Sequence, residues 1–347
     1  LWRRFFSRLS QPMALIDSSY THRDGETRGI NYRRWVIAQA TLTACLKVKG
    51  MRWVVWSCWI YAFLQGIFLF GFGQLMDPSS TVYAFITENL GLFKPIAPMF
   101  QGWAEENPRI AIGMTYNLFF YIFTGAIVST LTLSLVALGM AIPRLITSDL
   151  SSRAITIYSS KAVSRLDYCL GKFGGVMLLL TITWLGPMLA TWLMGNLMAP
   201  KISFFWHTAP ALLHSSMFVL AGMVFLGLMA LGVSAMTSSP RTATSIWVGV
   251  LLLGVVLSGI GLSSKNEWLQ YLSFWFDLEL LQRWIFNISG DFKELSAEYP
   301  GITEGDIFKQ MKLRLDITAD NVAVAITCLS LLGGAALLTL YKKVKPE

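Results

Sequence analysis

The sequence predicts an all-α polytopic membrane protein with six transmembrane helices. Two observations predict it. Of its 347 residues, 54% are hydrophobic and 14% are charged, against about 25% charged in an ordinary soluble domain. Six stretches, 53–75, 111–142, 173–199, 211–236, 244–262 and 322–340, contain no Asp, Glu, Lys or Arg, and about 20 apolar residues cross the hydrocarbon core as a helix. With 13 Trp and 22 Phe as well, too little polar surface remains to coat a water-soluble globule. This composition excludes a soluble enzyme, a disordered chain and a disulfide scaffold.

Residues 1–52 form the first segment. After Arg3 and Arg4 the apolar run is interrupted at once by Ser7 and Arg8, so no secretory signal is expected there. Residues 32–49 mix Trp35, Val36, Leu42 and Leu46 with Arg33, Arg34, Lys47 and Lys49. That mixture suits a helix lying along the membrane surface, its cations near anionic headgroups. The same cations could serve only to set topology.

The transmembrane domain runs from 53 to 340. Its second stretch, 111–142, would reach roughly 48 Å as one helix, so it should tilt or project beyond the bilayer. Gly186-Pro187 lies inside the third and should kink it. Between spans one and two, residues 76–110 hold four X-Pro steps and should form short helical pieces. Residues 263–321 are long and acidic for a connector and should be structured.

Within that connector, 268–286 could be mistaken for a seventh span. It carries Asp277, Glu279 and Arg283, each costing about 2.5–3.5 kcal/mol at the bilayer centre. Trp268, Tyr271, Leu272, Trp275, Leu278, Leu281 and Ile285 recur at helical spacing. The expectation is an amphipathic helix lying on, or dipping into, the outer leaflet. A helix packed in a small external domain is the alternative.

Charge fixes the expected orientation. With 1–52, 143–172, the short loop that carries Arg241 and the tail 341–347 inside, the inner segments hold 19 of the 28 Lys and Arg and 6 of the 20 acids. The positive-inside rule then puts both termini in the cytoplasm, and the expected location is the plasma (inner) membrane of a bacterium. The net charge of +8 is thereby read as topology and not as a nucleic-acid footprint.

Chemistry-bearing motifs are sparse. The sequence contains no GxxxxGK[ST], HExxH or GxSxG. Its four Cys form no CxxC pair, so no metal site is expected. The six stretches hold no acid, Lys or Arg, and only His214 near the start of the fourth could serve a coupling ion; a His beside Ser215 and Ser216 suits a hydrogen-bonded interfacial role. A carrier driven by protons or sodium usually needs an intramembrane ionisable group, so energy for transport should come from a partner. Asn117, Thr181 and Asn196 could line a path, although such groups more commonly hydrogen-bond between helices.

The loop 143–172 is the most informative segment. Ser148 or Asp149 can cap a short helix ending near Ser159, with Ile146, Leu150, Ala154 and Ile157 on one face. Ser164-Arg165-Leu166-Asp167 reads as a capping box with Asp in place of Glu. The expected product is a helix–turn–helix elbow joined rigidly to two spans.

Residues 146–172 resemble the first cytoplasmic loop of the permeases of type-2 ATP-binding-cassette exporters. The likeness rests on the run Ser159-Ser160-Lys161-Ala162-Val163-Ser164-Arg165-Leu166-Asp167-Tyr168-Cys169-Leu170-Gly171-Lys172, in which Ala162 stands where the family has Pro. In that family the loop is a coupling helix that meets the ATPase. The resemblance therefore implies a permease without catalytic residues of its own, docking an ATPase through Asp149, Arg153, Tyr158, Lys161, Ser164, Arg165 and Asp167. It further implies a second permease, identical or related, with ATP and Mg bound by the partner subunits and membrane lipids around the spans. A secondary carrier, a membrane-embedded enzyme and a non-transporting anchor of an ATPase-linked assembly are the rival readings.

Overall fold

The computed structural model describes residues 29–77, 80–89, 105–125, 129–153, 164–263, 267–291, 293 and 319–344. Among them there are helices and no strand. The helices are α1 (Ile30–Leu46), α2 (Lys49–Leu75), α3 (Thr81–Asn89), α4 (Pro108–Gly125), α5 (Thr130–Ala141) and α6 (Thr147–Ser151). They continue as α7 (Arg165–Leu180), α8 (Gly186–Leu197), α9 (Ser203–Ala235), α10 (Pro240–Ser263), α11 (Phe274–Phe286) and α12 (Ala319–Lys343). Six helical runs are long and apolar enough to cross a membrane, and each contains one of the six expected stretches or most of it. The chain is an all-α polytopic membrane protein.

The second span, expected to be overlong, is built from two helices. Ser129 caps α5, its hydroxyl accepting from the Leu131 N–H at 3.1 Å. The third span joins α7 to α8 through a π-helical turn, Thr181–Leu185, placed just before Gly186-Pro187. Pro187 has no N–H to give the preceding turn, and a wide turn absorbs that loss. The fourth span departs from expectation, because α9 begins eight residues earlier and carries Pro210 inside it. Proline leaves the carbonyl four residues back without its donor. Here that residue is Trp206, 74% exposed near the helix start, where water or headgroups can serve it.

The expected surface helix is α1. Trp35 and Val36 are exposed, while Ala38, Thr41 and Cys45 are buried against α7. The contact is close because α7 offers glycine. A Cβ on Gly175 would stand 2.6 Å from the Thr41 Cβ, and one on Gly171 would stand 2.7 Å from the Ile37 Cβ. Small residues four apart let backbones approach in this way.

The connector helix is α11. The chain turns back from α10, and α11 packs into the bundle against α4, α9, α10 and α12. Ser273 Oγ donates to the Gly254 carbonyl at 2.6 Å, about 21 Å along α10 from Pro240 at 1.5 Å per residue. Phe274 meets Phe225 of α9, and Phe286 at the far end meets Phe218, His214 and Tyr121. The buried residues of α11 are Phe274, Asp277, Leu278, Leu280, Gln282 and Phe286; of the expected apolar stripe, Leu278 is buried, Trp275, Leu281 and Ile285 pack against the core, and Trp268 and Leu272, which precede α11, are exposed. Asn287 closes the helix in the left-handed conformation at φ 48°, a position asparagine tolerates.

Candidate functional site: a braced elbow and a buried acid

The elbow begins where α5 gives way to a tight turn, Ile142–Arg144. Proline at 143 prevents the α-helix from continuing unchanged. Two expectations change here. α6 starts at Thr147 with Ile146 as its cap residue and no side-chain cap, so Ser148 and Asp149 lie inside the helix. It is also short: Ser152 leaves the helix and Arg153 follows with φ 55°. A non-glycine residue in that region redirects the chain. Ala154, Ile157 and the expected end at Ser159 lie outside the described residues.

Ser234, in the last turn of α9, clamps this elbow. Its hydroxyl donates to the Ile142 carbonyl at 2.8 Å and accepts from the N–H groups of Ile146 at 2.8 Å and Thr147 at 3.0 Å. Thr147 Oγ1 donates back to the Ser234 carbonyl at 2.7 Å. All four residues other than the solvent-facing turn tip are buried, so one hydroxyl replaces water for backbone groups that the turn leaves open.

A second brace comes from α7. Lys172 Nζ donates to the Leu145 carbonyl at 2.6 Å and pairs with Asp149 Oδ2 at 2.7 Å. Tyr168 Oη donates to the same carboxylate oxygen at 2.6 Å. The Lys172 and Asp149 side chains are only 8% and 15% exposed, so this is a largely desolvated pair with its hydrogen bonds made. The capping box forms as expected: Ser164 Oγ accepts from the Asp167 N–H at 3.1 Å and donates to its carboxylate at 2.5 Å. Asp167 also pairs with Arg34 of α1 at 2.6 Å.

The expected docking residues thus separate. Asp149 and Asp167 are engaged within the chain, and Ser164 caps α7. Arg153 and Arg165 are exposed and belong to none of the ion pairs among the described residues. Tyr158 and Lys161 lie outside the described residues. Sequence reasoning missed Arg34, Tyr168, Lys172 and Ser234 as bracing groups. Tyr168 and Lys172 stand four apart on one helix, and Ser234 is polar in an apolar run; both signals were available.

The three candidate path residues do not converge. Thr181 Oγ1 donates to the Met177 carbonyl of its own helix at 2.9 Å. Asn196 donates to the Trp192 carbonyl at 2.9 Å and accepts from Thr208 of α9 at 2.9 Å. Asn117 is buried, donating to the Phe286 carbonyl at 2.8 Å and to Asp291 at 2.6 Å, with His214 Nδ1 at 3.1 Å from its side-chain oxygen. Asn117 and His214 line a cavity of about 390 Å³ together with Arg109, Trp206, His207 and Asp291. His214 is therefore hydrogen-bonded, as expected.

α11 brings in two polar residues that the six stretches did not contain. Gln282 donates to the Tyr121 carbonyl at 2.6 Å. Asp277 is 0% exposed, and neither carboxylate oxygen has a hydrogen-bond partner among the described residues. A carboxyl group buried without donors carries a large desolvation cost. The described residues hold no His, Cys, Asp and Glu cluster suited to a metal ion.

Comparison with protein-family models and with curated proteins gives no match.

Proposed function

We propose that this chain is the transmembrane permease of an ATP-driven exporter, docking a separate ATPase through the 146–172 elbow. One observation carries the reading. The elbow is fixed to α1, α7 and α9 by two ion pairs and the Ser234 clamp, while Arg153 and Arg165 stay exposed. Braced flanks with exposed cations outside the ion pairs of the described residues suit force transfer from an acidic surface on a soluble partner. The resemblance of residues 146–172 to the coupling loop of type-2 exporters points the same way. The count of Lys and Arg supports placing the elbow and both termini in the cytoplasm of a bacterial cell. ATP and Mg then belong to the partner, and a second permease completes the path.

Asp277 favours a second reading, a proton-linked carrier. The absence of acids from the six stretches argued against a carrier, and α11 supplies one inside the bundle. Inverted membrane vesicles decide between the two. They are given ATP and a panel of labelled lipids, peptides and drugs, with and without a protonophore. The exporter reading expects chain-dependent accumulation that persists with protonophore while ATP is held constant, and that survives Asp277→Asn. Accumulation abolished by protonophore at constant ATP, and by Asp277→Asn, would establish the carrier instead.

A further inference from the structure

The corner between α1 and α2 holds two adjoining cavities. The first, about 550 Å³, lies between the α1 stripe Val36, Ala40, Thr43 and Lys47 and the elbow residue Arg144. The second, about 460 Å³, is lined by Thr43, Leu46, Lys47, Arg52, Val55 and Trp56. Thr43 and Lys47 belong to both, so the two adjoin and together form a crevice between the elbow and the span.

Its charge is of one sign. Lys47, Arg52 and Arg144 line it, and no acidic residue does. The ion pairs among the described residues use other cations. Its lower wall is apolar and continues into the outward face of α2, where Trp53 and Trp56 are 77% and 66% exposed. Aromatic side chains in the first turns of a span sit at headgroup level. A soluble anion would use the cations and leave the apolar wall wet. A lipid with a neutral headgroup would use the wall and leave three cations uncompensated. An anionic phospholipid uses both.

We propose that this crevice is a binding site for an anionic phospholipid of the leaflet at the elbow end. The headgroup phosphate sits among Lys47, Arg52 and Arg144, and an acyl chain follows Val55 and Trp56. Basic pockets between helices at such a boundary bind lipid headgroups of this kind. Because Arg34 of the same α1 helix holds Asp167, a lipid seated there would also steady α1 against the elbow. The inference needs only a membrane protein and stands whether or not the exporter reading does.

Native mass spectrometry of the purified full-length chain tests it, with phosphatidylglycerol or phosphatidylcholine titrated into the detergent solution. Phosphatidylglycerol should bind selectively. Each cation removed should weaken it about fivefold, so Lys47→Gln, Arg52→Gln and Arg144→Gln together should weaken it more than a hundredfold. Arg52→Gln alone serves if the triple variant does not elute as a monodisperse species. Lys342→Gln with Lys343→Gln, exposed cations of α12 outside the crevice, should leave binding within twofold. Millimolar inorganic phosphate should not displace the lipid. Equal binding of the two lipids, unchanged binding by the crevice variants, equal loss in the Lys342 and Lys343 control, or displacement by phosphate would overturn the proposal.

Discussion

Lys172→Met should destabilise the protein by about 3–5 kcal/mol, the usual consequence of leaving one member of a buried ion pair alone. The substitution preserves length and apolar bulk but removes the ammonium. Asp149 then keeps the Tyr168 hydroxyl and a long bond from Ser148 Oγ at 3.4 Å but no countercharge, and the Leu145 carbonyl loses its donor. Unfolding in mixed micelles, followed by SDS titration, measures the loss. The double variant Asp149→Leu, Lys172→Met should recover part of it, because no lone charge remains and the two residues share one network. A Lys172→Met protein within about 1 kcal/mol of wild type would show that the pair is hydrated, and the elbow would lose its main brace.

Ser234→Ala should be the next most damaging single change. It leaves the buried N–H groups of Ile146 and Thr147 without their acceptor, at about 1–3 kcal/mol for each orphaned donor. The Ile142 carbonyl suffers less, since the Leu145 N–H still reaches it at 3.2 Å. Thr147→Val is the matched comparison, because it removes one hydroxyl and orphans no backbone donor. The same SDS titration should rank Ser234→Ala clearly below Thr147→Val. Equal losses would mean that water replaces the serine hydroxyl and that the clamp does not exclude solvent.

What was legible in the sequence followed from local constraints. A helix in lipid must be apolar over its whole crossing length, so six uncharged stretches mark the spans. The Ser164 cap reads directly from four residues because a cap is completed within one turn. The bracing pairs were a different matter. Arg34 and Asp167 lie 133 residues apart, and no periodicity links residues on separate helices. The Gly171 and Gly175 pair carried the signal for a close helix contact, but not the identity of α1 as the partner. The depth of α11 was not legible for a tertiary reason. Its charges argued against a seventh span because charge is costly in lipid, and inside the bundle Gln282 finds the Tyr121 carbonyl while Asp277 is buried with no donor among the described residues. An argument from transfer costs places a residue outside the membrane only when no neighbouring helix can enclose it.

The separation of the expected docking residues also sharpens the functional reading. Reversing Asp149 or Asp167 would break an internal ion pair and so confuse docking with stability. Arg153 and Arg165 carry no such internal duty among the described residues. Arg165 stands in the first turn of α7, where a cation opposes the helix dipole. Its neighbour Asp167, the acid best placed to offset that, is held by Arg34.

ATP hydrolysis recovered with the tagged chain from its native membranes tests docking most directly. Wild type and the Arg153→Glu, Arg165→Glu double variant are purified side by side in mild detergent, after confirming equal insertion and equal SDS unfolding. Removing a specific charge partner at an interface costs about 2–5 kcal/mol, so the variant should lose at least about tenfold of the co-purifying ATP hydrolysis, with wild type retaining it. No ATP hydrolysis with wild type, or equal hydrolysis with both proteins, would contradict docking through the elbow.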